Sequence, residues 1–384
     1  MKNRTNLIFT HKLIKAFADS MVKAFVPLII LKNTNNMLLV MLYLNSYYLL
    51  CGVLNIVLKK FLQKYGVIAM ALHIVPIIAL QFILSAVNLV WWWCLIVALL
   101  GAFAQVLYSV PLNLLFAFTD REVNVAKFQI STNIGKLIFI LLSGYVLGST
   151  LKNSVLILSI VGAVLYIASV VPILYGYNLL KQAYERFSHK PKQIDKNTYR
   201  IYNLFHATFS IFQSVLDVIV PIYLYINNLT FEAVAIVMAL IELCKIGANL
   251  LAKLLVSKNK SFVSCLISAI CFIVGCIVIL VVKNAVVLYI CSCLIAVSFP
   301  LLFVPMFSTF CKKITFDNYQ FDGMSYRDVY ILPSKCAMFL PYFAWNNLIG
   351  QFIVGMISCV TMCGCCYKIS KEKNYEWLCI LQNN

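Results

Sequence analysis

The sequence predicts an all-α membrane protein with twelve transmembrane helices in two pseudo-symmetric six-helix bundles. Three observations carry this: apolar runs of about twenty residues, long enough to cross a hydrocarbon core of about 30 Å, breaks between them that alternate in basic content, and a repeat at one fixed spacing. Of 384 residues, 62% are hydrophobic and only 11% are charged, against about 25% charged in a soluble domain. The apolar runs are continuous rather than alternating. Only helices or closed barrels satisfy their backbone polar groups in lipid, and continuous runs are helical.

The first six spans are placed at 12–32, 37–58, 66–86, 91–118, 128–149 and 154–178. The second six fall at 202–226, 233–255, 261–282, 285–310, 329–345 and 349–367. This divides the chain into an N-terminal bundle (1–178), a basic linker (179–201), a C-terminal bundle (202–367) and a tail (368–384). No small-residue cleavage site follows the first apolar run, so span 1 is expected to remain as an anchor. Span 11 is short and contains Pro333, Pro341 and Lys335. Trp91, Trp92 and Trp93 open span 4 as an interfacial belt would.

A net charge of +18 would suit a nucleic-acid binder if it lay on one surface. It does not. Lys59, Lys60 and Lys64 follow span 2, Arg121 and Lys127 span 4, and Lys181, Arg186, Lys190, Lys192, Lys196 and Arg200 span 6. Lys258 and Lys260 follow span 8, Lys312, Lys313 and Arg327 span 10, and Lys368, Lys371 and Lys373 close the chain. The other set of breaks carries only Lys32, Lys152 and Lys283. The positive-inside rule then places both termini in the cytoplasm, with the plasma membrane as the expected location. The lipid bilayer is the expected partner, nucleic acid is not, and a monomer is expected.

Fifteen cysteines raise metal or disulfide readings. Most lie inside spans, where a thiol is a small hydrophobe. Cys363, Cys365 and Cys366 cluster at the cytoplasmic end of span 12, with no His or second Cys pair to complete a zinc site. No metal or other cofactor is expected.

The repeat is read from prolines outward. Pro221, in Ile219-Val220-Pro221-Ile222-Tyr223, follows Pro27, in Phe25-Val26-Pro27-Leu28-Ile29, by 194 positions. The same offset brings Asn55 onto Asn249, Lys59 onto Lys253, Lys64 onto Lys258, Val110-Pro111 onto Val304-Pro305 and Phe116 onto Phe310. One ungapped offset across four spans of matching topology is far less likely by chance than a match within one helix. Beyond span 4 the register slips, and Lys136 meets Lys335 only at 199.

Two six-helix halves, a basic linker and cytoplasmic termini resemble the major facilitator superfamily. The signature loop after span 2 is degenerate: in Leu62-Gln63-Lys64-Tyr65-Gly66-Val67 the Gly and one basic residue remain, while Gln63 stands where the family carries an acid. The resemblance implies a cavity lined by spans 1, 4, 7 and 10, with seams between the halves at spans 2 and 11 and spans 5 and 8.

Ionisable residues inside spans are the functional leads, because an unmatched charge in lipid costs at least about 2.5 kcal/mol. Span 1 carries Asp19 and Lys23, span 5 Lys136, span 7 Asp217, span 8 Glu242 and Lys245, and span 11 Lys335. On span 7, His206, Ser210, Gln213 and Asp217 share one helical stripe, and the repeat maps Lys12, Asp19 and Lys23 onto His206, Gln213 and Asp217. Asp19, Lys23, Gln213, Asp217 and His206 are therefore the candidates for substrate and proton handling. Lys136, Glu242, Lys245, Asn249 and Lys335 are the candidates for the seams between bundles. Simple neutralisation is the alternative for Asp19 with Lys23 and for Glu242 with Lys245, and snorkelling for Lys136 and Lys335. Lys23 and Asp217 are expected to lie opposite each other, and Lys136 to face Glu242. Of the other histidines, His11 and His189 are placed outside the membrane core, and His73 alone among apolar residues.

A secondary active transporter moving a small solute by alternating access, driven by an ion gradient and most naturally by protons, is the leading reading. The chain has no phosphate-binding Gly-rich loop with Lys and Ser/Thr, so ATP is not its direct driver. Four intramembrane lysines against three acids favour an anionic or zwitterionic substrate. A flippase for a lipid-linked or amphipathic molecule is the alternative. A membrane-embedded enzyme would have to use the connections at 179–201 and 312–328, where Asp317, Asp322 and Asp328 lack a nearby His, and no enzyme activity is expected.

Overall fold

Two prolines and four asparagines set the plan of the chain. The computed structural model describes residues 2–86, 90–117, 123–151, 153–188, 199–258, 260–282, 284–316 and 320–382. Arg121, Lys152, His189, Lys190, Lys192, Lys196, Lys283 and Asp317 lie outside them, as does the linker stretch 189–198. Every regular element among the described residues is helical.

In the first half, α1 (Lys2–Met21) passes through a short 3₁₀ turn (Lys23–Phe25) into α2 (Val26–Thr34). Then come α3 (Met37–Val57), α4 (Lys59–Leu72), α5 (Ile74–Ala86), α6 (Trp91–Ala117), α7 (Val123–Gly148), α8 (Ser154–Tyr175) and the linker helix α9 (Tyr177–Ser188). In the second half, α10 (Arg200–Ser214) passes through a π-turn (Val215–Ile219) into α11 (Val220–Ile226). It is followed by α12 (Phe231–Ser257), α13 (Ser261–Val281), α14 (Ala285–Phe316), α15 (Gln320–Ser334), α16 (Cys336–Trp345) and α17 (Ile349–Gln382).

The breaks in spans 1 and 7 have one cause. Proline has no N–H to give the carbonyl four residues back and crowds it sterically. For Pro27 that carbonyl belongs to Lys23, and for Pro221 to Asp217. Local rewinding serves the freed groups: the Val26 N–H turns to the Lys23 carbonyl, and the second half widens into the π-turn instead. The two candidate residues thus sit where their helices are unwound. The repeat is also visible in the turns. Asn35 and Asn153 have positive φ of 46° and 64°, and 193 residues on Asn228 and Asn346 have φ of 66° and 49°. Asparagine tolerates this left-handed region and closes helix ends there.

The halves meet along two seams. The more extensive packs α7 on α12, and the other packs α3 on α15 and α16. Both depend on a glycine: a Cβ at Gly144 of α7 would collide with the Cβ of Ala235 on α12, and one at Gly52 of α3 with Pro333 on α15. Small residues allow helix backbones to approach this closely in lipid. The outer faces stay apolar and open, as at Val164, Ile167, Val171 and Leu174 of α8, ready for acyl chains.

Several expectations change. Among the described residues eight helices are by themselves long and apolar enough to cross a membrane, or nine if α4 and α5, bent by 42°, count as one; several of the expected spans are built from two helices each. Charge and proline explain this, since span 1 is split at Lys23 and span 11 at Lys335. The stretch 312–328, expected as a loop, is helical up to Phe316 and again from Gln320. The signature-like loop is also helical, interrupted at Tyr65 and held by the Tyr184 hydroxyl of α9, which donates to the Leu62 carbonyl at 2.7 Å. The 368–384 tail continues α17 as far as Gln382.

Candidate functional site

A cavity of about 380 Å³ lies between the halves, and both halves line it. From the first come Asp19 on α1, Lys23 in the 3₁₀ turn, the tyrosines Tyr43, Tyr47 and Tyr48 of α3, Gln105 of α6 and Lys136 of α7. The second supplies Gln213, Asp217, Glu242, Lys245 and Lys335. Glu242, Lys245 and Lys335 are buried, while Asp217 and Lys136 stay open to the cavity; the buried charges depend on partners.

On the first wall, Asp19 is the hub. Lys15 donates to its Oδ2 at 2.6 Å, the Tyr166 hydroxyl donates to its Oδ1 at 2.5 Å, and Lys23 Nζ stands 3.7 Å from Oδ1. Lys23 also reaches Gln105 Oε1 at 3.4 Å. The Lys15 ammonium lies 4.1 Å from the centre of the Tyr108 ring, a cation–π contact.

On the second wall, Lys245 is the hub. It donates to Asp217 Oδ1 at 3.2 Å and to Glu242 Oε1 at 2.9 Å, while Gln213 Nε2 donates to Asp217 Oδ2 at 2.8 Å. From across the α7–α12 seam, Lys136 Nζ comes within 4.0 Å of Glu242 Oε1. Asn133 of α7, with its amide turned to donate, lies 3.0 Å from Glu242 Oε2. Lys335 sits at the α15–α16 break, buried, with its ammonium 5.0 Å from the centre of the Tyr48 ring.

Lys23 and Asp217 line the same cavity, but each pairs within its own half. Asp217 takes Lys245 of α12 as its cation, at 3.2 Å, rather than Lys23. His206 is not in the cavity: it is buried against Phe205 and Phe310, with neither ring nitrogen hydrogen-bonded. Its stripe turns into the second bundle as the helix winds away from the π-turn. Asn249 also lies outside the cavity lining and donates to the Lys245 carbonyl at 2.7 Å. Its repeat mate Asn55 does the same to the Cys51 carbonyl at 3.0 Å. Lys136 and Lys335 line the cavity instead of snorkelling to a face.

The sequence reading missed Lys15, Tyr166, Gln105, Asn133 and the α3 tyrosines. The i, i+4 step from Lys15 to Asp19 is a readable signal, but Lys15 stands at the start of span 1, where a basic residue reads as a flanking one. His11 is fully buried, not outside the core, and His73 is not alone: their rings lie 6.1 Å apart, both against Tyr108. Asp322, taken for a loop acid, bonds Lys59 at 2.6 Å and so ties the start of α15 to α4 of the other half.

The fold has solved counterparts. The chain is similar to a bacterial homologue of the iron transporter ferroportin in an outward-facing state (TM-score 0.71, 14% identity, 96% of this chain and 99% of that chain covered). The same protein with soaked iron gives a TM-score of 0.70 at 13% identity, covering 95% and 99%. The human organic anion transporter MFSD10 (TETRAN) gives 0.66 at 10% identity, covering 96% and 99%. At such identities the likeness is one of fold. No curated protein matches the sequence. The sequence itself matches the family model described as Major Facilitator Superfamily over residues 12–318, and the chain is a membrane transporter belonging to that superfamily.

Proposed function

We propose that the chain is a secondary active transporter that moves a small solute through the central cavity by alternating access, coupled to protons. The observation that carries this reading is the cavity itself: it lies between two repeats, is reached by charged groups from both, and sits beside two broken helices. Its volume falls within the range of small-molecule sites.

The ion pairs supply a coupling route. Lys245 is shared by Asp217 and Glu242, and Glu242 also holds Lys136 across the seam. A proton arriving at Asp217 leaves Lys245 wholly to Glu242. The hold of Glu242 on Lys136 then weakens, and the α7–α12 seam is freed to shift. The expected result is uptake of one solute from a broad panel by reconstituted vesicles, driven by an imposed proton gradient and lost with an uncoupler. Unchanged accumulation with the uncoupler present would refute proton coupling, and absence of flux for every solute would refute transport.

The proposed orientation keeps both termini and the 179–201 linker in the cytoplasm of a plasma-membrane protein. In a background without native cysteines, an impermeant thiol reagent added to intact cells should label Cys at 229 or 284 but not at 190. Labelling at 190 would overturn this orientation.

A further inference from the structure

The cavity holds more cations than its acids can occupy. Lys23, Lys136, Lys245 and Lys335 line it, against Asp19, Asp217 and Glu242, and Lys15, outside the lining, already pairs with Asp19. Each acid is already engaged. Asp19 has Lys15 and the Tyr166 hydroxyl on its two oxygens, Asp217 has Lys245 and Gln213, and Glu242 has Lys245. What remains is one unmatched side chain. The Lys335 ammonium makes no hydrogen bond or ion pair among the described residues, although the residue is only 9% exposed and lines the cavity. Lys23 and Lys136 stand only at the long end of ion-pair distance, at 3.7 and 4.0 Å from acids that have closer partners.

An ammonium buried without a counter-charge is costly, and a ring face offsets only part of that cost. A ligand bearing negative charge removes the deficit; a cation or a metal ion deepens it. Among the described residues no group of three or more His, Cys, Asp or Glu side chains is placed to hold a metal ion. The wall beside Lys335 is aromatic, with Tyr47 and Tyr48 in edge contact at 4.7 Å and Tyr48 stacked on Phe339 at 5.8 Å. Such a wall offers ring faces to an apolar body.

Resting on the transporter reading above, we infer that the substrate is a small organic anion, with a carboxylate or phosphate group held by Lys335 and completed by Lys23 and Lys136, and a body packed on the α3 tyrosines. Lys335 belongs to the second half and the other two lysines to the first. A bound anion therefore bridges the halves, which a carried substrate has to do.

The test is equilibrium binding to purified full-length protein, read by thermal stability. The probes are benzoate, succinate, citrate and phenyl phosphate, with choline, ferrous ion and glucose as the contrasting classes, and short-chain phosphatidylglycerol to separate a lipid headgroup from a soluble anion. At least one soluble anion should stabilise the protein while choline, ferrous ion and glucose do not. Lys335→Gln should weaken that anion about ten- to hundredfold, the cost of losing one charge-assisted contact, and Lys335→Arg should retain it. If Lys335→Gln does not fold, Lys23→Gln gives the same readout from the opposite wall. Binding of choline, ferrous ion or glucose in preference, of the lipid alone, or of no anion at all would overturn the inference. So would anion affinity unchanged in Lys335→Gln. Because the measurement needs no flux, anion binding without transport would remove the transporter reading and leave the anion site alone standing, whereas cation flux would keep the transporter reading and overturn the anion one.

Discussion

Asp217→Asn is expected to abolish proton-driven uptake while the protein still folds. Asparagine keeps the size of the side chain and its contact with Gln213, but it cannot take up a proton or hold Lys245 as a counter-charge. Lys245 keeps Glu242 at 2.9 Å, so the buried ammonium is not left without an acid. The variant therefore resembles one state of the cycle, with Asp217 already neutral, and cannot leave it. Gradient-driven uptake should fall at least about tenfold, the scale of removing one partner from a buried charge pair. Substrate binding, expression and size-exclusion behaviour should stay near the parent. Exchange of the pair, Asp217→Lys with Lys245→Asp, should recover part of the uptake. Parental uptake by Asp217→Asn at normal expression would remove this carboxylate from the mechanism.

Gly144→Leu should have an equally large effect for a steric reason. Gly144 lies where α7 and α12 approach closest, and even a single methyl group there would occupy the space of the Ala235 Cβ. Leucine forces the seam apart, with an overpacking cost of about 1–3 kcal/mol, and moves Lys136 away from Glu242. Uptake should be lost, and the melting temperature in detergent should fall by several degrees. Gly144→Ala with Ala235→Gly returns the methyl group to the other side of the same contact and should behave nearly as the parent. A stable, fully active Gly144→Leu would mean that the halves do not need this approach to work.

The sequence by itself determined the membrane class, the two-half plan and most of the charged residues that matter. Apolar length and the Pro27–Pro221 spacing are local or periodic properties, and the bilayer converts them directly into spans. The same periodicity singled out Asp19, Lys23, Asp217, Glu242 and Lys245, and all five line the cavity between the halves. Partner choice was beyond it. That Lys245 meets Glu242 follows from a step of three along one helix, but its reach to Asp217 depends on how α12 lies beside the π-turn segment. A helical stripe also does not say which interior it faces: Gln213 and Asp217 turn to the cavity, and His206, on the same stripe, turns into the bundle. Lys15 reads as an interfacial cation because the apolar run places the start of span 1 at residue 12. Only with the helix running from Lys2 and Tyr166 brought over from α8 does it become the closest cation to Asp19. The unmatched state of Lys335 is likewise a tertiary fact. Its helix breaks there, and the ring against its ammonium comes from Tyr48 of α3, almost three hundred residues earlier in the chain.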